Sequence, residues 1–357
     1  MSVPRIAVVL SISLFLVSCS SSASVHTGGA SGGGSVSSSS PAKNSPPSGW
    51  RQVSLPSPPG GPPAGYTDSG SAIACSSETE CIFGSTYLDN NSNQWSITVS
   101  TTNGGLTWAR TTGFPSSLDG GVASVACDQH YCFMLAQNAA TTDEAMARTN
   151  DNGKTWTLIP YPPSWAKDSI DGNIMACSSS RCLVYGDNTL ATPLGDPSAR
   201  YETAFAATSN DFQTWTDISI PGASHIDQLA CIWSGQCWAE YETTGDDLEH
   251  LATTLDDGVT WTTLGPISSD EAINNNSALS FALDPDHQVG LACENAQTCF
   301  ILDNSNDIVT THDGGRTWSL THGPSPGSTD AITCTPSSTC WIVSVDRPTA
   351  WIGLPPG

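Results

Sequence analysis

The chain is short of positive charge. Its 357 residues carry 11 Lys and Arg against 34 Asp and Glu, a formal charge of −23. Phosphate backbones are bound by clustered Lys and Arg, so this balance argues against nucleic acid as a partner. It argues equally against electrostatic docking on an anionic membrane. Charge of either sign is sparse, at 13% of residues, about half the usual share of roughly 25%. Long apolar runs are lacking too. The one candidate, Ile6–Val17, is too short for a permanent membrane span, which needs about 20 residues. Catalytic and metal signatures are thin. The seven His are scattered, with no His-x3-His pair. No Ser nucleophile elbow or phosphate-binding Gly loop stands in a strand–helix context. Asp303-Asn-Ser305-Asn-Asp307 is faintly like a calcium loop but lacks the following Gly and the distal Glu, so it reads as a strand-connecting turn. No cofactor and no metal are expected.

What is present begins with an address. Arg5 precedes the apolar stretch, as in a secretory signal. The stretch ends Leu16-Val17-Ser18-Cys19, which resembles the lipobox of bacterial lipoproteins. That resemblance implies removal of residues 1–18 and lipidation of Cys19. It places the chain on the outer face of a bacterial cytoplasmic membrane, held by its lipid alone. Residues 19–48 are almost entirely Ser, Gly, Ala and Pro after the Cys. Such a segment buries too little apolar surface to offset its ordering entropy, so it reads as a flexible tether.

Twelve further Cys fall into six local pairs: Cys75/Cys81, Cys127/Cys132, Cys177/Cys182, Cys231/Cys237, Cys293/Cys299 and Cys334/Cys340. Each first Cys ends a short apolar run and each second Cys begins another, such as Phe133-Met134-Leu135. The pattern is strand, tight polar turn, strand. Cys facing each other across a hairpin, with Cα atoms about 4.5–5.5 Å apart, suit a disulfide. Zinc needs Cys-x2-Cys-like spacing and a second ligand pair, and neither is present.

A second signature alternates with the first. It reads Thr101-Thr-Asn103-Gly-Gly105-Leu-Thr107-Trp108 and recurs from Thr149 to Trp156, Thr208 to Trp215, Thr254 to Trp261 and Thr311 to Trp318. It resembles the Asp-box, the bacterial neuraminidase repeat, with Asn103, Asp151, Asn210, Asp256 and Asp313 at the acid position. The third copy departs, having Asn210 for Asp and Phe212 for Gly, so a distorted turn is expected there. The side chain at the acid position can accept hydrogen bonds from turn N–H groups, and the Gly can take φ > 0. The Trp residues 108, 156, 215, 261 and 318 can then bury a large area. The resemblance implies structural turns remote from any active site.

Cys hairpin, strand, Asp-box and Trp strand make four strands per unit. First-Cys spacings of 52, 50, 54, 62 and 41 suit propeller blades with loop insertions. Six Cys hairpins meet only five Asp-boxes, and the sixth unit stops early. Trp50-Arg-Gln-Val-Ser-Leu-Pro56 resembles the strand after an Asp-box, Trp156-Thr-Leu-Ile-Pro160. Residues 49–357 therefore read as one all-β, six-bladed propeller closed by its N-terminal strand. Seven blades is the alternative, with Phe281-Ala-Leu as a possible extra strand.

Cys hairpins and Asp-boxes share one end of such a propeller. The other carries the variable connections Tyr161–Gly172, Asp187–Tyr201, Thr243–His250 and Gly265–Gly290, where function tends to sit. Innermost strands bring Asn173, Asp227 and Asp330 to that mouth. Arg200, Tyr201, Glu202, Glu240, Tyr241 and Glu242 lie near them in this scheme, as do Asp168, Asp171 and His225. These are the candidate ligand-binding residues, and no catalytic residue is singled out. The resemblance to sialidases raises an exo-sialidase. Such a site needs three Arg on the substrate carboxylate, and only Arg200 and Arg347 can reach this end. Glu240-Tyr241-Glu242 could mimic a nucleophile pair, but alternate strand residues face opposite ways. The reading is a lipid-anchored extracellular propeller binding a protein or a glycan without catalysis. A carbohydrate-active enzyme is the alternative.

Overall fold

In a computed structural model, residues 49–56, 67–88, 94–115, 118, 121–137, 144–159, 165, 171–188, 202–209, 212–243, 246–267, 288–325, 329–344 and 349–353 are described. They form six four-stranded antiparallel sheets arranged as the blades of a propeller. Strand β1 (Trp50–Ser54) opens the chain order. Blade 1 is β2 (Thr67–Cys75), β3 (Cys81–Leu88), β4 (Gln94–Thr101) and β5 (Ala109–Arg110). Blade 2 is β6 (Gly121–Cys127), β7 (Cys132–Gln137), β8 (Glu144–Thr149) and β9 (Thr157–Ile159). Blade 3 is β10 (Asp171–Cys177), β11 (Arg181–Asn188), β12 (Glu202–Ser209) and β13 (Trp215–Asp217). Blade 4 is β14 (Ala223–Cys231), β15 (Cys237–Thr243), β16 (Asp246–Thr254) and β17 (Thr262–Pro266). Blade 5 is β18 (Gln288–Cys293), β19 (Cys299–Asp303), β20 (Asp307–Thr311) and β21 (Ser319–His322). Blade 6 is β22 (Ala331–Cys334), β23 (Cys340–Ser344) and β24 (Thr349–Gly353), with β1 as its outer strand.

The ring closes as expected. β1 runs antiparallel to β24, pairing Trp50 with Gly353 and Ser54 with Thr349. Trp50 packs beside Trp351 and Ile342 in the cluster that joins blade 6 to blade 5. The pairing covers the edge of β24, which would otherwise template association.

Second strands read as unbroken apolar runs because both their faces are covered. In β7, Phe133 and Leu135 face blade 3, while Met134 and Ala136 face blade 1. All four are fully buried. Six disulfides, one per blade, join the first strand to the second at directly paired positions. Their Cα–Cα distances of 3.9 to 4.1 Å are shorter than the 4.5–5.5 Å expected from the sequence.

The second Cys of each pair is buried, and Cys81, Cys182 and Cys340 fully so. In blade 3 the pairing of β11 with β12 runs one residue past Cys182 toward the turn, joining Arg181 to Ser209. Cys182 itself pairs with Cys177 and Thr208, and its side chain lies in the core between blades 2 and 3, beside Phe133 and Val184.

The turns between third and fourth strands repeat one hydrogen-bond scheme. In blade 4, Thr254 Oγ1 donates to Asp256 Oδ1 (2.7 Å) and accepts from the Gly258 N–H (3.1 Å). Asp256 in turn accepts from the Thr260 N–H (2.8 Å) and Oγ1 (2.7 Å). Blades 2 and 5 repeat this around Asp151 and Asp313, and blade 1 does so around Asn103 except that the Asn103 Nδ2 donates to Thr107 Oγ1 (2.8 Å). The turn glycine takes positive φ and its Cα abuts the preceding blade. A Cβ on Gly258 would lie 2.7 Å from Leu183 Cδ2. Blade 3 departs as expected from its sequence: Phe212 adopts φ 55°, and Thr208 Oγ1 donates to the Thr214 carbonyl instead (2.5 Å). Trp108 and Trp318 are buried, and Trp156, Trp215 and Trp261 are half-buried.

Two connections differ from the sequence reading. The segment Thr243–His250 is not a long loop: Thr243 pairs directly with Asp246, so β15 and β16 meet in a tight turn. Strand β10 likewise starts at Asp171, inside the connection expected to run to Gly172. Asp303–Asp307 is a strand-connecting turn, with Asp303 Oδ1 accepting from the N–H groups of Ser305 (2.9 Å) and Asp307 (2.6 Å). The possible strand at Phe281 lies outside the described residues.

Candidate functional site

The six innermost strands surround a central cavity of about 380 Å3. Its wall is rich in Ala and includes the first Cys of each pair, so the six disulfides ring one end. The second Cys of each pair, Cys182 among them, lies behind that wall and does not line the cavity. Backbone bonds tie the disulfide turns to the outer turns at that end: the N–H of Gly104 donates to Thr79 O (3.0 Å) and that of Asp257 to Gly235 O (3.0 Å). Trp233, in the blade 4 disulfide turn, is the aromatic residue lining the cavity there.

At the opposite, loop end the wall is set by a repeated irregularity. Four residues before the first Cys, blades 2 to 5 place Ala123, Asn173, Asp227 and Val289. Each sits where the pairing with the second strand slips by one residue. Such bulges re-aim a side chain. Ser71 and Asp330 hold the same position in blades 1 and 6, and Ser71, Ala123, Asp227, Val289 and Asp330 all line the cavity. The three inner-strand candidates Asn173, Asp227 and Asp330 are thus equivalent positions of one ring. Of these, the side chain of Asn173 lies outside the described residues.

Blade 4 concentrates the ionisable groups. One oxygen each of Asp227, Glu242 and Glu249 lies within 4.8 Å of the others. His225 is also near, its Nε2 3.7 Å from Asp227 Oδ1. His225 Nδ1 meets the Tyr185 hydroxyl of blade 3 at 2.8 Å, with the two rings edge to face. Asp227 Oδ2 is buried and meets no hydrogen-bond partner among the described residues. Burial pushes the Asp227 carboxyl up to about 6; His225 opposes the rise and Glu242 adds to it.

The described basic residues keep away from the loop end, whereas carboxylates occur at both ends, Asp128, Asp151, Asp256, Asp257 and Asp313 among those at the disulfide end. The described Lys and Arg residues are Arg51, Arg110, Arg148, Lys154, Arg181 and Arg316. Arg51, Arg110 and Arg148 lie on the outer two strands of a blade, Lys154 and Arg316 on turns at the disulfide end and Arg181 at the disulfide-end start of β11: Arg51 donates to Gly104 O (3.4 Å), and Arg148 stacks over Tyr131 (5.3 Å). At the loop end the described charges are carboxylates, Asp227, Glu242, Glu249 and Asp330 among them.

The remaining candidates are scattered. Glu240 is fully buried, and Tyr241 packs the other way, into the cluster between blades 3 and 4. Strand alternation thus separates Glu240 from Tyr241. Glu202 opens β12 with its side chain undescribed. Cys19, Asp168, Arg200, Tyr201, Asn210 and Arg347 lie outside the described residues. Glu249 and Tyr185 were not singled out from the sequence. The alternation Glu249, Leu251 along β16 carries the signal for the first; the cross-blade contact of Tyr185 has no local signal.

No family model and no curated protein matches the chain. Solved structures do. The Trypanosoma rangeli sialidase matches with a TM-score of 0.53 at 12% identity, over 85% of this chain and 59% of its own. Hadza microbial sialidase Hz136 matches with a TM-score of 0.52 at 14% identity, over 81% of this chain and 66% of its own. YCF48 from Cyanidioschyzon merolae matches with a TM-score of 0.49 at 13% identity, over 86% and 99%. At such identities the likeness to the two sialidases is one of fold: this chain shares their β-propeller and spans about three fifths to two thirds of their length.

Proposed function

We propose that this chain is a lipid-anchored extracellular binding module whose loop-end channel mouth takes a cationic segment of a protein partner, without catalysis. The observation that carries the reading is that the loop-end mouth bears carboxylates with no described Lys or Arg beside them. Carboxylates gather at the mouth around Asp227 and Asp330, while the described Lys and Arg stand away from it. In such a mouth, low-dielectric walls focus the field of the carboxylates and raise the local concentration of a basic ligand. The chain enters the propeller at Gly49, beside Gly353 and the disulfide end. A rigid ring with the same bulge in blades 2 to 5 suits recognition more than a closing active site.

The test has two arms. The full-length protein, displayed on cells or in vesicles, is titrated with Lys- and Arg-rich peptides and screened against a glycan array with fluorogenic glycosides in parallel. Basic peptides should bind, with affinity falling steeply as salt rises, and Asp330→Asn should weaken binding several-fold. Turnover of any glycoside would replace this reading with the glycosidase one. A Cys19→Ala variant should leave the membrane fraction; unchanged fractionation would remove the lipid anchor from the reading.

A further inference from the structure

We propose that Asp227 is a two-position proton switch at the channel mouth: protonated, it shares a hydrogen with Glu242 and Glu249, and ionised, it swings onto His225. The Glu242 and Glu249 carboxylates stand close enough to Asp227 that three full negative charges repel strongly. His225 Nε2 stands 3.7 Å from Asp227 Oδ1, just beyond hydrogen-bond reach. Asp227 sits on a bulge between two pairing registers, which frees its side chain from the regular alternation of β14. Its Oδ2 is buried with no partner among the described residues, as expected of an oxygen that carries or awaits a proton.

The groups that face Asp227 can be enumerated. On its own strand stands His225, and from β11 of blade 3 comes Tyr185. Strand β15 brings Glu242, with Glu240 and Tyr241 beside it; β16 brings Glu249 and His250. Asp330 lies on the cavity wall of blade 6, and Asp303 ends β19 of blade 5. Strand β18 adds only disulfide-bonded Cys293, and β10 adds disulfide-bonded Cys177 and, at its start, Asp171, whose side chain lies outside the description. One imidazole thus faces several carboxylates, so a proton retained among them is the economical way to limit repulsion.

Ionisation has a defined direction of travel. The proton leaves Asp227 for water in the channel. The new carboxylate is pushed by Glu242 and Glu249 and drawn to the Nε2–H of His225. That bond fixes the imidazole tautomer with Nδ1 as acceptor for the Tyr185 O–H, tying blade 4 to blade 3. The mouth gains one negative charge and one cross-blade relay in the same step. The shift of the carboxyl by burial and Glu242 brings this step toward neutrality. The switch stands whether or not a ligand occupies the mouth.

Carbon-detected NMR titration of the full chain, followed at the Asp227 carboxyl, tests it. The wild-type midpoint should lie near 6. Glu242→Gln should lower it, because a repelling charge is removed. His225→Asn should raise it, because the partner of the ionised form is gone, and Tyr185→Phe should do so to a lesser degree. Opposite signs from two neighbouring substitutions are not produced by general loosening of the fold. A midpoint near 4, or shifts of one sign in both variants, overturns the switch. A midpoint that falls by a unit or more on adding millimolar Ca2+ or Mg2+ makes the cluster a cation site and overturns it as well. Should a variant unfold, the wild-type midpoint and its response to the cations still decide.

Discussion

Phe212 stands where the sister turns carry glycine, and its ring lies 4.8 Å from that of Phe133 in the preceding blade. Both rings are buried. In blades 1, 2, 4 and 5 a bare Cα lets the turn approach its neighbour; in blade 3 a side chain fills that space instead. The position therefore has two solutions, a void closed by proximity or a void closed by a phenyl ring. The ring costs a non-glycine residue at φ 55°, roughly 1–2 kcal/mol of strain.

Phe212→Gly should relieve that strain and leave a cavity worth about 3–5 kcal/mol. The net expectation is destabilisation by about 1–4 kcal/mol, read from urea unfolding. The mirror experiment, Gly258→Ala, adds a Cβ 2.7 Å from Leu183 Cδ2 at φ +82°. It should cost about 1–3 kcal/mol. A neutral outcome at Gly258 would mean the blades slide apart easily.

Truncating Trp50 to Ala should cost about 3–5 kcal/mol, the usual range for a buried Trp. Removal of residues 44–56 should do more, since it uncovers β24 along its whole edge. Light scattering on heating should then show association. If the shortened chain melts with the wild type, β1 contributes nothing to closure.

Disulfide loops of this size restrain the unfolded chain little, by roughly 2 kcal/mol each in the chain-entropy model. Replacing Cys127 and Cys132 together by Ala should lower stability by about that amount and leave the fold intact. Full reduction should lower the melting temperature strongly. Peptide mapping should recover the six intra-blade bridges and no bridge between blades.

Stability should peak on the acid side. Burial raises the carboxyls of Asp227, Asp128 and Glu294. A raised native pKa gives stability that is complete below the unfolded value and lost as pH climbs through the native one. For Asp227 that loss falls between about 4 and about 6. The outer turns act in the opposite sense. Hydrogen bonds from Thr260 and Thr254 hold Asp256 at about 2. For Asp313 burial works the other way, but bonds from Thr317, Thr311 and the Arg316 N–H still hold it at about 2. Their contribution is present above about 4 and fades as pH falls toward 2. Melting temperatures from pH 2 to 8 should therefore reach a maximum near pH 4–5 and decline on both sides. A plateau from 5 to 8 would contradict the buried carboxyls.

The blade count was legible because the Cys pairs and the Thr-to-Trp turns each mark one local hairpin, and local geometry is written in adjacent residues. Ring closure was legible for a related reason: Trp50 had no local purpose in a Ser- and Pro-rich stretch. The mouth was legible only in part. Asn173, Asp227 and Asp330 share a register with the Cys that follows them, so counting back from each Cys finds the ring. Glu249 was hidden because Gly245 and the acids around it read as loop, whereas cross-strand pairing pulls Asp246–Thr254 into β16. Tyr185 meets His225 across a blade boundary, a contact that depends on how two sheets rotate against each other. No spacing in the sequence encodes it.

The pairing of Trp50 with Gly353 also sets an order of events in time. A chain that emerges N-terminus first exposes β1 before any of its partners exists. Five blades can assemble as they arrive, each from neighbouring segments, but the first strand must wait for the last one. Its docking closes a loop of about 300 residues, a step whose entropic cost grows with the logarithm of length and is met only at the end. Until then the sixth blade lacks its outer strand and β24 carries a bare edge. Synthesis is thus the period in which this protein is vulnerable, and the seating of β1 on β24 is the clasp that ends it.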